Sequence, residues 1–240
     1  AQEVAERTPP CPEELGAVEL PELDAVVGGG DLLLDEHVSK QVLARLGVPV
    51  PLEVRCESRE DALEAAERIG YPVVLKGLAS GVAHKSDVGL VHLDLRGPDA
   101  VTDAWTRVVS IAPGCACLVA PMLVGERELA VGLLRMPGLG PAVMLGQGGV
   151  FAEAIGDVTF RLAPVSRAEA VGMVDSLRGR ALFGGIRGLP AVDREALADV
   201  IRAVSHLAVL RPEVVEVDLN PIIVRGALPL VADALIRVVS

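Results

Sequence analysis

Segments of helical and of strand-like hydrophobic spacing alternate along the chain. Val38, Val42 and Leu46 follow the helical period, behind an Asp35 that can cap a helix and before a Gly47 that can close it. Comparable signals predict four more helices, which open at Ser58, Pro98, Ser166 and Asp193. Short helices of this kind, interleaved with apolar runs, are typical of an α+β protein.

The apolar runs between these helices predict strands. They cover residues 48–54, 71–76, 90–95, 118–122, 129–134 and 142–145, and a hairpin over residues 214–239 closes the chain. The strands become longer after residue 122, which indicates a second lobe. We therefore predict an arm or linker rich in proline and glycine over residues 1–34, a small lobe over 35–122 and a large lobe over 123–240. A ligand cleft is expected between the two lobes.

The composition indicates a folded, acidic protein. Hydrophobic residues make up 51% of the 240 residues and charged ones 23%, as in globular chains. The net charge of -11 disfavours nucleic acid and anionic lipid surfaces as partners. No segment approaches the run of about 18 apolar residues that a membrane helix needs. The 4 cysteines are too few for a disulfide framework, so we expect a cytoplasmic location.

Two neighbouring features could meet a phosphate. Lys76 ends an apolar run, where an ammonium is costly to bury unless an anion meets it, although a lysine that snorkels to solvent explains the residue equally well. The loop over residues 77–89 mixes glycines and hydroxyls with His84 and Lys85. Backbone amides of such a loop can fold over phosphates, and a histidine can accept a phosphoryl group. An exposed histidine in a small-residue hairpin loop is the alternative.

The closing hairpin predicts a cation site. Gly226 and Ala227 fit a two-residue turn, which makes the numbers of opposed residues sum to 453 and sets Asn220 opposite Asp233. Asp218 projects to the same face as Asn220, so their oxygens could hold one hard cation such as Mg²⁺. The alternative is a solvated polar sheet face. Pro221 cannot donate to the ladder and could shift the register by one.

Five ordered motifs resemble the ATP-grasp portion of ADP-forming acyl-CoA synthetases and, more distantly, the β subunit of succinyl-CoA synthetase. The motifs run from Tyr71 to Lys76, His84 to Gly89, Met144 to Phe151, Phe160 to Pro164 and Val217 to Ile222. The resemblance extends from about residue 34 to residue 238. It implies the ATP-grasp fold, in which two α/β lobes with antiparallel or mixed sheets enclose ATP or ADP and Mg²⁺.

The resemblance also implies roles for individual residues. His84 would relay a phosphoryl group, with Lys76 and Arg161 steadying it and Lys85 beside it in the phosphate loop. Glu128 would lie in the nucleotide site. Asn220 and Asp233 match the magnesium ligands of the family, in agreement with the hairpin register, which adds Asp218 on the same face as Asn220. The adenine edge would be met by the backbone of Val119, Ala120, Pro121 and Met122.

The expected activity is that of the nucleotide-binding half of an acid–thiol ligase. Phosphoryl would pass between ADP or ATP and histidine, while a partner carries the acyl-CoA site and a second histidine. That partner would be a CoA-binding domain or an α subunit, in a hetero-oligomer or a longer chain. Two alternatives remain at this stage. One is a non-catalytic nucleotide- or acyl-CoA-sensing module attached to an acetyltransferase, and the other is a carboxylate–amine ligase, which would not need His84.

Overall fold

The computed structural model describes residues 19–24, 30–79, 88–149 and 156–239. They form two compact units. The small unit comprises the described part of residues 51–123, and the large unit comprises the described residues up to 50 together with those from 124 onward.

The elements are numbered in chain order. They are α1 (Pro21–Asp24), β1 (Leu32–Leu33), α2 (Glu36–Arg45), β2 (Val54–Cys56), α3 (Arg59–Ile69), β3 (Val73–Gly77), β4 (Val91–Leu95), α4 (Pro98–Ile111), β5 (Cys117–Pro121), β6 (Arg127–Met136), β7 (Gly140–Gln147), β8 (Val158–Leu162), α5 (Arg167–Ser176), a 3₁₀ helix (Arg180–Phe183), α6 (Arg194–Leu210), β9 (Val214–Arg225), β10 (Leu228–Val231) and β11 (Leu235–Val238).

The small unit is an antiparallel sheet with two helices on one face. Its described strands have the order β2–β5–β3–β4. The first helix, α3, begins with a capping box, in which Ser58 accepts from the amide of Asp61 and the Asp61 carboxylate accepts from the amide of Ser58. Buried residues of α3 and α4 pack against Leu75 and Val119 of the sheet.

The large unit is built on a longer antiparallel sheet. Its described strands have the order β1–β11–β9–β6–β7–β8, and β10 pairs with the far end of β9. Helices α5 and α6 cover one face and bury residues such as Val131, Leu145 and Val204. Both helices are capped, α5 by a Ser166–Glu169 capping box and α6 by the Asp193 side chain.

The start of the described chain differs from the prediction. The arm over residues 1–34 and the small lobe from residue 35 were expected to be separate from the large lobe, but α1, β1 and α2 belong to the large unit. Leu20 and Leu23 are buried in its core with Leu43, and β1 pairs with β11. Prolines and glycines around Leu20 and Leu23 concealed this short apolar pair in the sequence pattern.

Two strand predictions also change. The strand predicted over residues 48–54 is formed only from Val54 to Cys56, because Pro49 and Pro51 have no amide hydrogen to give to a ladder. Strand β8 was not predicted as a strand at all, although its last three residues belong to the motif from Phe160 to Pro164. The other predicted helices and strands are confirmed, with ends that move by a few residues.

Candidate functional site

The register of the closing hairpin is confirmed on both sides of the predicted cation site. Arg225 opposes Leu228 and Ile222 opposes Val231, and further along β9 Asp218 opposes Leu235, so that all three pairs sum to 453. The amide of Ala232 donates to the Pro221 carbonyl at 3.0 Å in the same register. Asn220 and Asp233 lie between these paired stretches, at the positions that the register sets opposite each other.

Strand β9 has a bulge at this point on its other edge. Along β6, Leu129 opposes Ile222 but Val131 opposes Leu219, so Ala130 alone faces the pair Asn220 and Pro221. The shift that Pro221 could have caused in the hairpin does not occur, because β9 keeps one register with β10 and β11 on both sides of this residue; the irregularity lies on the β6 edge. An extra residue of this kind bends a strand and re-aims its side chains, and such bulges are common beside functional sites.

Asp218, one of the predicted metal residues, and Glu128 lie on one face of the larger sheet. Asp218 opposes Gly132, which opposes Met144, which in turn opposes the exposed Phe160. This is the face away from α5 and α6, and we call it the far face. Glu128 alternates with the buried Leu129 and Val131 on β6, so it projects to the far face as well.

Arg161 lies on the opposite face. It is aligned with Val143, Leu133 and Val217, which are at most 2% exposed beneath the helices. Its guanidinium donates to the Phe160 carbonyl at 2.7 Å and to the Ser176 hydroxyl of α5 at 3.3 Å. Arg161 and Asp218 therefore lie on opposite faces of the sheet, which does not support the expected role of Arg161 in steadying the phosphoryl group beside the metal.

A cavity of about 340 Å³ opens in the large unit beside Glu128. Its walls are Gly125, Glu126, Arg127, Glu128, Leu129, Gln147, Gly148, Gly149, Leu182, Phe183 and Val192. The amide of Gly148 donates to the Glu128 carbonyl at 2.8 Å, and Gly149 has a φ of +84°. A Cβ on Gly149 would stand 2.8 Å from Glu128 Oε2, so the glycine pair provides room for that carboxylate.

Arg127 holds one wall of this cavity in place. Its guanidinium donates to four carbonyls, those of Leu182, Gly184, Pro190 and Gly226, at 3.2, 3.3, 2.7 and 3.1 Å. It thus joins the 3₁₀ helix, the loop that follows and the hairpin turn. This role of Arg127 was not predicted, because nothing in the neighbouring sequence distinguishes it from a surface arginine.

Asp157 fixes another part of the same region. Its carboxylate, on a residue only 6% exposed, accepts from the amides of Gly179 at 2.7 Å and Arg178 at 2.9 Å. These bonds, that to Gly179 above all, lower the pKa of Asp157 below its ordinary value. The side chain of Gln147 lies directly against Gly179, so Asp157 helps to shape the end of the cavity.

In the small unit, Lys76 stands at the centre of the sheet and is 8% exposed. It opposes Val91 on β4 and Leu118 on β5, on the face away from α3 and α4. Ala120, in the segment predicted to meet the base, lies on the same face because its neighbour Val74 is two residues from Lys76.

The backbone of that segment is partly used within the unit. The Met122 amide donates to the Pro72 carbonyl at 3.0 Å. Successive backbone carbonyls of a strand point to opposite edges, so the Pro121 carbonyl points to the edge of β5 that faces β2. The ladder with β2 ends at the pair Val54 and Val119, before this position is reached. Among the residues predicted to meet the base, Pro121 is thus one whose carbonyl points away from β3. Val119 is held in the ladder opposite Val54.

His84 and Lys85 lie outside the described residues, so their predicted roles rest on the sequence. Among the described residues, no group of three or more His, Cys, Asp or Glu side chains is arranged to hold a metal ion. The predicted set contains only two such residues, Asp218 and Asp233, because its third member is an asparagine. Oxygen-only donors of this kind suit Mg²⁺, which usually keeps waters and phosphate oxygens among its ligands.

None of the described helices combines the length and hydropathy needed to cross a bilayer.

The chain is similar in sequence to proteins of known function. The chain matches the family model of the ATP-grasp domain over residues 25–238. It is 35% identical over 222 residues to the β subunit of ADP-forming acetate–CoA ligase II of Pyrococcus furiosus, covering 88% of this chain and 94% of that protein. It is 39% identical over 209 residues to ADP-forming acetate–CoA ligase II of Archaeoglobus fulgidus, covering 86% of this chain and 30% of that protein.

A solved structure shows the same fold. Acetyl-coenzyme A synthetase 1 of Candidatus Korarchaeum cryptofilum, in complex with coenzyme A and Mg-AMPPCP, superposes with a TM-score of 0.79 at 36% identity. The superposition covers 92% of this chain and 99% of that one. That structure is described as having its phosphohistidine segment pointing towards the nucleotide binding site.

The fold and these matches define a protein of the ATP-grasp family, to which the chain belongs. Within that family it is a relative of the β subunits of ADP-forming acyl-CoA ligases, as the sequence motifs predicted. The expected α+β ATP-grasp fold and the expected enzyme class, an acid–thiol ligase, are confirmed.

Proposed function

We propose that this chain transfers a phosphoryl group between ADP or ATP and His84, with magnesium, as one half of an ADP-forming acyl-CoA ligase. The other half is a CoA-binding partner, either a separate subunit or another part of a longer chain. Both arrangements occur among the relatives, since one is a β subunit and another is a protein of which this chain covers 30%. The partner supplies the acyl-CoA site and a second histidine.

The observation that carries this proposal is the hairpin register. The constant sum of 453 on both sides of Asn220 and Asp233, with Asp218 exposed on the far face, sets three oxygen-bearing side chains in one short region. A magnesium ion held there would neutralise charge on the nucleotide phosphates. The related Mg-AMPPCP complex supports the choice of metal and of nucleotide.

The chain's own residues have distinct parts in the transfer. Lys76, a cation in an otherwise apolar strand, binds phosphate oxygens, and the Pro121 carbonyl contacts the base. In the direction of ATP use, an imidazole nitrogen of His84 forms a bond to the γ-phosphorus while the bond from phosphorus to the β,γ-bridging oxygen breaks. ADP leaves, and the imidazole loses its proton. Such a reaction depends on positioning and charge neutralisation. Arg161 has no part in it.

The test is phosphorylation by ATP labelled on its γ-phosphate. The full chain with Mg²⁺ is expected to gain an acid-labile, base-stable label, the stability pattern of phosphohistidine. His84→Ala should abolish the label without abolishing nucleotide binding. His37→Ala is a matched control on the surface side of α2 and should keep the label. Label that survives in His84→Ala, or its absence from the unaltered chain, would refute the relay.

The sensing alternative is less well supported. A non-catalytic module attached to an acetyltransferase would bind nucleotide and become more stable without gaining label. The relatives found here are named as ligases, which favours the catalytic function. A carboxylate–amine ligase would use the same fold but would retain turnover in His84→Ala.

A further inference from the structure

A buried ion pair lies next to the predicted metal carboxylate. Glu36 and Lys40 are one turn apart on α2, with Lys40 Nζ 2.8 Å from Glu36 Oε1. Each residue is only 1% exposed. The same Nζ donates to the carbonyl of Ala232 at 2.8 Å, and Ala232 immediately precedes Asp233.

The bond from Lys40 to Ala232 lies at an interruption of the sheet. Residues 232–234 separate β10 from β11 and belong to neither strand. The Ala234 amide, instead of entering a ladder, donates to the Asp233 carboxylate at 2.9 Å. Just beyond, the Ile236 amide donates to the hydroxyl of Ser39, the α2 residue that precedes Lys40, at 3.2 Å. Helix α2 therefore contacts the backbone on both sides of Asp233.

A buried ion pair is a poor means of stabilising a fold. Removing two charges from water costs about as much as their attraction returns, and well-packed apolar replacements of both residues are often neutral or stabilising. The contribution of this pair is better sought in the Lys40 bond to Ala232. That bond constrains the direction of the Ala232 carbonyl and, with it, the course of the chain through Asp233.

We infer that Glu36 and Lys40 are positioning residues for the magnesium site, acting through the Ala232 carbonyl to hold Asp233 in place for the ion. The inference rests on the proposed function, because it takes Asp233 as a metal ligand. Groups that support a ligand without touching the metal commonly contribute tenfold or more to its affinity. Neither residue need contact the ion or the nucleotide.

The decisive variant is the double substitution Glu36→Leu with Lys40→Met. It removes both charges but keeps similar volumes, so the fold is expected to be kept, with a melting temperature lowered only by the loss of the Lys40 bond to the Ala232 carbonyl. The dissociation constant of Mn²⁺, measured by electron paramagnetic resonance on the full protein with saturating ADP, is expected to rise about tenfold. A purely structural pair would leave the Mn²⁺ affinity unchanged in the folded double variant, and that result would overturn the inference.

Two further variants separate the possible failures. Lys40→Met alone leaves a buried carboxylate and is expected to lose both stability and Mn²⁺ affinity. Ser205→Ala removes the acceptor of the Val165 amide in the same core and should lower stability without changing Mn²⁺ affinity. Asp233→Asn tests the proposed function itself. If it leaves Mn²⁺ affinity unchanged, the metal assignment fails; if it weakens binding while the double variant does not, only the positioning role fails.

Discussion

Glu128 and Gly149 are packed so closely that a single added carbon on the glycine would collide with the carboxylate. The ideal Cβ position on Gly149 is 2.8 Å from Glu128 Oε2. The glycine therefore has two independent reasons to be present, its φ of +84° and this contact.

Gly149→Ala is accordingly expected to weaken ADP binding about tenfold, which corresponds to about 1.4 kcal/mol. Displacement of Glu128 from the cavity wall is the cause. Gly138→Ala is the control, because Gly138 has a φ of +77° but nothing within 4 Å of its added Cβ. Both variants should lose about 1–2 kcal/mol of stability from the left-handed backbone. Calorimetric titration with ADP distinguishes them, and equal affinities in the two variants would contradict the role given to Glu128.

Arg161 and Asp218 lie on opposite faces of the larger sheet, which separates their expected effects. Arg161→Gln should leave turnover within about twofold of the unaltered protein, with a stability loss of about 1 kcal/mol from its hydrogen bonds. Asp218→Asn should raise the Mg²⁺ concentration needed for half-maximal turnover about tenfold. Magnesium titrations of turnover with the partner present check both. A large loss of activity in Arg161→Gln would show that its guanidinium reaches the reacting groups.

Asp157 should make stability dependent on pH in the acid range. Its pKa is lowered in the folded state, so its contribution is complete above the unfolded pKa, near 3.8, and is lost as the pH falls through the lower folded value. Asp157→Asn should therefore be less stable than the unaltered protein at neutral pH, by about 1–3 kcal/mol. The difference in urea unfolding should shrink below a pH of about 4. A constant difference down to that range would contradict the linkage.

The described cysteines should differ in reactivity. Burial raises the pKa of Cys56 to about 11 and that of Cys117 to about 12, and both are fully buried on adjacent strands. Cys115 is only partly buried. A thiol reagent at neutral pH should label Cys115 in the native protein but reach Cys56 and Cys117 only after unfolding. Peptide mapping by mass spectrometry identifies the sites, and native labelling of Cys117 would contradict this order.

Local chemistry made much of this structure predictable from the sequence. The capping signals at Ser58, Ser166 and Asp193 located helices, and the Gly226–Ala227 turn fixed a register that holds in the closing hairpin as far as the pair Arg237 and Glu216. These features depend on residues close together in the chain, where the physical rules are strongest.

The features that escaped prediction depend on partners far away in the chain. Helix α2 was assigned to the small lobe because no local pattern reveals that Lys40 bonds to Ala232, 192 positions later. The bulge at Asn220 was visible only as a proline that cannot donate, since its direction depends on which neighbouring strand accommodates it. The face of Arg161 could not be assigned because β8 itself was not recognised as a strand.

Arg127 has a consequence for how the large unit opens. Its guanidinium donates hydrogen bonds to carbonyls of the 3₁₀ helix, the loop after it and the hairpin turn. The amide of Asp193, which caps α6, donates to the Ala227 carbonyl of the same turn at 2.8 Å. Segments joined in this way do not fray independently; they exchange with solvent through a shared opening event. The cavity wall and the hairpin turn are therefore expected to open together, with one free energy of opening for both.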